Sequence, residues 1–234
     1  MKTPDAVAVV PPEEWKRARE EMLVKEKEHM RAGDALAAER RRMPWMAVEK
    51  DYEFIGPEGT MSFEDLFQGQ RQLVVYRAFY DPGITTTVDP FKYPERACGG
   101  CSMVADQVAH PAHLTGRNTA LAFVSRSPIA KIQDLQERMG WQRIPWFELT
   151  DDWDGDFDVD QWHGTNAFVR TDDGIYRTYW IDGRGDERMG GTWAYLDITA
   201  FGRQEKWEDS PEGFPQTDPY GWWNYNDQYG KDAA

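Results

Sequence analysis

The order of apolar and helix-forming segments along the chain predicts a mixed α/β fold. Two short apolar runs, at residues 73–76 and 119–124, are typical of buried strands, and each precedes a segment with helical features. Further along, the runs 167–169 and 175–180 flank an Asp-Asp-Gly turn at 172–174, which is typical of a β-hairpin. A strand, a helix, a strand, a helix and then a hairpin together indicate a sheet covered by helices.

A long helix is predicted before this sheet. Residues 12–42 are dense in Glu, Lys, Arg and Ala, which are good helix formers, and Pro12 suits the first turn. Gly33 could divide the helix into two pieces, and the apolar side chains form only a loose stripe on one side. We therefore expect residues 1–45 to form a helical arm that packs on the domain or pairs with a second copy in a homodimer.

The best-defined helix of the domain follows the second apolar run. Ser127 is the predicted N-cap, Pro128 the first helical residue and Gly140 the end. Before it, residues 81–97 contain Pro and Gly at several positions and are predicted to form a long loop, which leads to a helix over residues 101–109. Loops of this length in a compact domain are often functional.

The remaining boundaries follow from composition. Residues 46–205 form the α/β domain itself. Residues 206–234 are rich in Pro, Gly, Trp and Tyr, and they include Trp222, Trp223 and Tyr225. Because so aromatic a segment is unsuited to a free tail, we expect it to pack over the domain or over a pocket.

The charge of the chain argues against several partners. The sequence has 27 Lys and Arg against 41 Asp and Glu, a formal net charge of −14, and nucleic acids and anionic membrane surfaces repel such a protein. No apolar run approaches the roughly 18 residues that span a bilayer, and the N-terminus lacks the features of a signal peptide. We therefore expect a cytoplasmic protein, with neither nucleic acid nor a membrane as partner, in a compartment where structural disulfides are uncommon.

The two cysteines form the motif Cys98-Gly99-Gly100-Cys101 at the start of a predicted helix. A helix N-terminus presents unpaired N–H groups and positive potential, which stabilise a thiolate at Cys98 and lower its pKa. Cys101, one turn later, is close enough to resolve a mixed disulfide. The spacing favours redox chemistry, while metal binding and incidental thiols stay open as alternatives.

Histidines and aspartates supply further candidates. His110 and His113 follow the cysteines at a spacing that is short for a zinc site. We predict instead that His113 lies near the thiols and assists proton transfer, with His163 as a further candidate. The acidic run at residues 151–160 departs from the calcium-binding loop and is expected to be a solvated turn.

Several motifs, taken together, are specific to one protein family. They are Glu14-Trp15, Asp34-Ala35-Leu36-Ala37-Ala38-Glu39-Arg40-Arg41-Arg42-Met43-Pro44-Trp45, Val48-Glu49-Lys50-Asp51-Tyr52, Asp65-Leu66-Phe67-Gln68-Gly69, Cys98-Gly99-Gly100-Cys101-Ser102, Val124-Ser125-Arg126-Ser127-Pro128 and Arg138-Met139-Gly140-Trp141. Through them the chain resembles the bacterial domain-of-unknown-function family 899. Members of that family resemble thioredoxin-like and peroxiredoxin-like proteins. The resemblance implies a thioredoxin-like fold, with a central mixed sheet flanked by helices and the cysteine motif at a strand-to-helix turn.

The sequence also departs from working thioredoxins and peroxiredoxins. Its spacer is Gly99-Gly100 rather than Gly-Pro, and the segment 164–166 stands without proline where thioredoxins place a cis-proline. Glu95 stands where peroxiredoxins have a threonine, three residues before the peroxidatic cysteine.

The leading hypothesis is a thiol-disulfide oxidoreductase in which Cys98 attacks and Cys101 resolves, with His113 tuning protonation. Such an enzyme needs no cofactor, and its partner would be an external thiol or disulfide, on a protein or on a small molecule. Two alternatives stay open. One is a non-redox thioredoxin-fold protein that binds a metal or a small ligand, and the other is a thiol peroxidase that uses Cys98.

Overall fold

The computed structural model describes residues 7–81, 98–159 and 163–229. All but the first residue of the predicted loop 81–97 therefore lies outside the described residues. The described strands are β1 (Met46–Val48), β2 (Glu53–Gly56), β3 (Gly59–Ser62), β4 (Gln72–Arg77), β5 (Thr119–Ser125), β6 (Trp146–Leu149), β7 (Gly164–Thr171) and β8 (Gly174–Ile181). The described α-helices are α1 (Pro12–Arg40), α2 (Gly99–Asp106), α3 (Ala112–Thr115), α4 (Ile129–Met139), α5 (Trp153–Asp156) and α6 (Gly191–Asp197), and two 3₁₀ helices span Asp65–Phe67 and Gly183–Met189.

All the described strands belong to one mixed sheet, in the order β1-β8-β7-β4-β5-β6-β2-β3. β4 pairs in parallel with β5 on one side and antiparallel with β7 on the other. β5 continues in parallel with β6, and β7 pairs antiparallel with β8. Helix α2 lies in the connection from β4 to β5, and α4 lies between β5 and β6. The predicted mixed α/β class, with a central mixed sheet and helices in its connections, is therefore confirmed.

The alternation of side chains along β4 divides the core between the two faces of the sheet. Leu73 and Val75 belong to an aromatic-rich cluster on one face, and Tyr76 belongs to a second cluster. The second cluster contains Cys101 of α2 and Tyr225 of the C-terminal segment. The cysteine motif and the C-terminal segment therefore pack on the same face of the sheet.

Helix α1 extends from the domain with none of its described residues buried. It runs unbroken through Gly33, so the predicted division at that residue is wrong, because one glycine costs a helix only about 1 kcal/mol. Trp15 is 62% exposed, and near the end of the helix the guanidinium of Arg40 lies over the ring of Tyr179 at 5.0 Å. Pairing of this arm with a second copy stays a prediction. No described helix is both long and apolar enough to cross a membrane.

Helix α4 shows how a distant residue replaces a predicted local cap. The helix begins at Ile129, with Pro128 rather than Ser127 at the N-cap position. The N–H of Ile129 donates to Oε2 of Glu148, in β6, at 2.8 Å. Gly140 ends the helix as predicted, in the left-handed conformation at φ 73° that glycine adopts at low cost.

A buried cation stands at the end of β4. Arg77 is completely buried, and its guanidinium donates to both carboxylate oxygens of Asp81, at 3.1 and 2.8 Å, and of Asp154, at 2.8 and 3.0 Å. Burial opposes the charged form of Asp154, but its hydrogen bonds with Arg77 and the charges of Arg77 and Arg126 outweigh burial and lower its pKa. The expectation that the acidic run is merely a solvated turn is therefore wrong at Asp154.

Replacing Arg77 with alanine is expected to lower the free energy of unfolding by about 3–5 kcal/mol, because the buried carboxylate of Asp81 and the partly buried one of Asp154 lose their cation. Urea unfolding followed by circular dichroism measures the loss. The matched control is Arg19→Ala, which removes an exposed ion pair with Glu26 at 3.0 Å and should cost less than about 1 kcal/mol. Equal losses in the two variants would contradict the role given to Arg77.

Candidate functional site

The cysteine motif lies where β4 leads into α2. The N–H of Cys98 donates to the carbonyl oxygen of Phe79, just beyond β4, at 2.9 Å. Cys98 occupies the N-cap position of α2, and its own carbonyl accepts the N–H of Ser102 at 2.9 Å. These bonds fix the motif at the carboxyl end of the central strand, which is the strand-to-helix position that the sequence predicts.

The two sulfur atoms have different environments. Cys101 is 2% exposed, and its Sγ accepts hydrogen bonds from the hydroxyl of Tyr76 and from the N–H of Phe79, both at 3.3 Å. Cys98 is only partly buried, and both cysteines are free thiols. Cys98 is therefore the more accessible of the two, while Cys101 is held against the end of β4.

The pKa values of the two thiols shift in opposite directions. The pKa of Cys98 is lowered, chiefly by its hydrogen bond with the Cys101 thiol, while burial opposes the shift and the backbone N–H groups of Cys101 and Gly100 add to it. The pKa of Cys101 is raised well above the ordinary thiol value, first by burial and then by the hydrogen bond with Cys98 and the charge of Cys98. Burial also raises the pKa of Tyr76, which keeps its hydroxyl protonated as a donor. The arrangement gives one thiol that ionises readily and one that resists ionisation.

The Gly99-Gly100 spacer is in close contact with the C-terminal segment. A Cβ atom on Gly100 would lie 2.6 and 2.7 Å from two ring carbons of Trp223, and one on Gly99 would lie 3.1 Å from the carbonyl oxygen of Trp223. Real Cβ contacts are longer than the first two distances. The two glycines therefore allow the C-terminal segment to cover the start of α2.

A small cavity lies beside the two thiols. Its volume is about 50 Å³. Its lining includes both cysteines, Tyr76, His163, Asp186 and the rings of Trp193 and Trp223. The two indole rings contact each other with their centroids 5.6 Å apart.

A partly buried histidine and a buried aspartate share this cavity. Nδ1 of His163 lies 3.6 Å from Oδ2 of Asp186, and Oδ1 of Asp186 accepts a hydrogen bond from the hydroxyl of Thr165 at 2.7 Å. Asp186 is 4% exposed. Burial opposes protonation of His163, but Asp186 and the charge of Cys101 outweigh it and raise the pKa of His163.

The histidine placed near the thiols by the sequence lies elsewhere. His113 is exposed on α3, and its ring contacts that of His110 with centroids 6.2 Å apart. The described lining of the cavity includes His163 and not His113. Within the described part of the chain, no three His, Cys, Asp or Glu side chains are grouped so as to hold a metal ion.

Sequence reasoning missed three further residues of the site, namely Tyr76, Asp186 and Trp193. Tyr76 carried a usable signal, because it stands near the end of the predicted strand that precedes the motif and so can reach the second cysteine. Asp186 and Trp193 follow the predicted hairpin in a stretch without helical or strand periodicity, and only the chain path brings them to the thiols.

A family model described as "Bacterial protein of unknown function (DUF899)" matches residues 4–229. Among solved structures, the chain is similar to a thiol:disulfide interchange protein from Bacteroides sp., at 12% identity and a TM-score of 0.43, over 71% of this chain and 99% of that one. It is also similar to peroxiredoxin Q of Xanthomonas campestris, at 16% identity and a TM-score of 0.35, over 64% of this chain and 98% of that one. It is similar as well to apo Sco1 of Thermus thermophilus, at 11% identity and a TM-score of 0.33, over 63% of this chain and 87% of that one. No functionally curated protein matches the chain.

Alkylation should separate the two thiols by pH. Cys98 is expected to react with iodoacetamide with a midpoint below that of an ordinary thiol, and Cys101 with a midpoint above it, for the reasons given for their pKa values. Mass spectrometry of peptides after short pulses across a range of pH measures both midpoints. In Tyr76→Phe the midpoint of Cys101 should rise further, because its sulfur loses the phenol donor. Equal midpoints for the two thiols in the parent protein would contradict this assignment.

The contact between Gly100 and Trp223 predicts that an alanine at position 100 destabilises the protein and that removing the indole ring relieves part of this loss. Gly100→Ala is expected to lower the free energy of unfolding by about 1–3 kcal/mol, because the added methyl group overlaps the indole ring. The double variant Gly100→Ala with Trp223→Ala should recover part of that loss relative to Trp223→Ala alone, which a double-mutant cycle in urea measures. Strictly additive losses would show that Trp223 does not restrict this position.

Proposed function

The chain belongs to DUF899, a bacterial protein family of unknown function, and we propose that it is a thiol-disulfide oxidoreductase in which Cys98 attacks and Cys101 resolves. One observation carries the proposal. Two free thiols, one helical turn apart at the carboxyl end of the central strand, differ in exposure and in the direction of their pKa shifts. A dithiol that exchanges disulfides needs such a difference, because one sulfur must be an accessible thiolate while the other waits protonated.

The reaction balances with these two residues and an external disulfide. The Cys98 thiolate attacks one sulfur of the substrate disulfide, which forms a mixed disulfide and releases the first thiolate. Cys101 then loses its proton and attacks Cys98 Sγ, which forms the Cys98–Cys101 disulfide and releases the second thiolate. The substrate gains two electrons, and both released thiolates take up protons. An external thiol restores the dithiol by the reverse exchange.

This proposal needs no cofactor, and the partner is an external thiol or disulfide, on a protein or on a small molecule. We also propose a cytoplasmic location, in keeping with only two cysteines in the chain and their close spacing. A partner of strongly acidic character is disfavoured by the net charge of −14.

The decisive experiment is a redox titration. Native protein is equilibrated across a series of glutathione buffers, trapped by alkylation and weighed by mass spectrometry. We expect a single two-electron transition that joins Cys98 to Cys101, at a potential near the cytosolic poise. Thiols that never pair, or that react only after a chelator has been added, would instead support the binding-protein alternative.

Two variants assign the roles of the sulfur atoms. Cys98→Ser should abolish exchange with oxidised glutathione, because the accessible thiolate is lost. Cys101→Ser should still react but accumulate the glutathione mixed disulfide, because nothing resolves it. Equal exchange rates in the parent and both variants would overturn the proposal. Peroxide consumption that depends on Cys98, without disulfide exchange, would favour the thiol peroxidase.

A further inference from the structure

We infer that His163, positioned by Asp186, accepts the proton that Cys101 must lose before it resolves the mixed disulfide. The inference rests on the proposed function, because it concerns the second step of that reaction. It gives a role to an ionisable pair, the partly buried His163 and the buried Asp186, that the exchange chemistry of the cysteines does not by itself require.

The second step has a proton problem that the first lacks. Only a thiolate attacks a disulfide, and Cys101 is buried beside another sulfur, in an environment that favours its neutral form. Once Cys98 is bonded to substrate, the hydroxyl of Tyr76 and the N–H of Phe79 still donate to Cys101 Sγ and stabilise its negative charge. These donors cannot remove the proton, so a base is needed.

His163 lines the same small cavity as both sulfur atoms. Its Nδ1 faces Asp186, so the other ring nitrogen, Nε2, is left to take up a proton. The cavity of about 50 Å³ has room for a bridging water, which needs about 10–15 Å³. A proton can therefore pass from Cys101 Sγ through the cavity to His163.

The carboxylate of Asp186 lies between the side chains of Thr165 and His163. Its Oδ1 is occupied by the hydroxyl of Thr165. Its Oδ2 is buried, makes no hydrogen bond within the described part of the chain, and lies 3.6 Å from His163 Nδ1. A buried carboxylate with one uncompensated oxygen is stabilised when the neighbouring imidazole becomes charged. Protonation of His163 therefore forms an ion pair with Asp186 and is favoured by it.

The groups around His163 favour its protonated form. Burial lowers the pKa of His163, but neighbouring Asp186 and the charges of Cys101 and Asp182 raise it, with a net increase. A base works best when its pKa lies near the working pH. Among the residues that the structure describes, the titratable groups facing His163 are Tyr76, Cys98, Cys101, Asp182, Asp186 and Glu187.

The step balances as follows. Cys101–SH gives its proton to neutral His163, and the sulfur keeps the electron pair. The Cys101 thiolate attacks Cys98 Sγ and displaces the substrate thiolate, which leaves with the electrons of the broken bond. Protonated His163 then returns its proton to the leaving thiolate or to solvent.

The test follows a single turnover of the reduced full chain with oxidised glutathione, quenched in acid and analysed by mass spectrometry. Formation of the glutathione adduct reports attack by Cys98, and its decay to the internal disulfide reports resolution by Cys101. In His163→Gln, adduct formation should stay within about 2-fold of the parent, while decay at neutral pH should slow by about 100-fold. The deficit should shrink as the pH rises and hydroxide replaces the missing base. The matched control, His113→Gln, should behave as the parent, because that side chain lies exposed on α3.

A second measurement does not depend on the folding of His163→Gln. In the parent, the midpoint of the pH profile for decay should coincide with the titration of His163 followed by NMR. Asp186→Asn should move both midpoints to lower pH, because the carboxylate that favours the charged imidazole is gone. Decay that is unchanged in His163→Gln, or slowed equally at every pH, would overturn the inference while leaving the proposed function intact. A parent that forms no adduct would overturn the proposed function, and the inference with it.

Discussion

The placement of the site depends on neutralisation of one buried positive charge. Arg77 carries a guanidinium with no access to solvent, and such a charge is tolerated only when it is paired and hydrogen-bonded. Asp81, beyond the end of β4, and Asp154, in α5, supply the two carboxylates. This cluster fixes the end of β4, and the residues on either side of Arg77 then hold the cysteines. Tyr76 donates to Cys101, while Phe79 bonds both cysteines through its backbone.

One short helix gives two identical side chains opposite properties. Cys98 occupies the N-cap of α2, where the Cys101 thiol and backbone N–H groups favour its thiolate, and Cys101 lies a turn further in, where burial favours its thiol. The difference follows from position alone, since both residues have the same ordinary pKa. Because burial keeps Cys101 protonated, resolution needs a proton acceptor. His163 and Asp186 line the same cavity as the two cysteines, where such an acceptor is required.

The aromatic C-terminal segment is part of this site and not an appendage to it. Trp223 lies against Gly99 and Gly100 and lines the cavity, and Tyr225 is buried in the cluster that contains Cys101. The absence of proline from the spacer, which sets the motif apart from thioredoxins, has a local reason here. Only the smallest side chains leave room for the indole ring at this distance.

The sequence by itself determined the elements whose signals are local. The strands β4 and β5, the β7–β8 hairpin, α1 and most of α4 follow from apolar periodicity, turn residues and helix propensity, which act over a few neighbours. The cysteine motif could also be placed at a helix start, because its spacing and the preceding strand lie close together in the chain. Short β1 and β6 carry too few residues for a periodic pattern and form through pairing with strands already in place.

Only the tertiary structure decided which distant side chains meet. The cap of α4 comes from Glu148 in β6, and the partner of Arg77 in the acidic run is Asp154. The histidine beside the thiols is His163, although His113 is much nearer to them in the chain. In each case the deciding contribution is the desolvation of a polar group, which depends on the whole packed core and leaves no pattern in the neighbouring sequence.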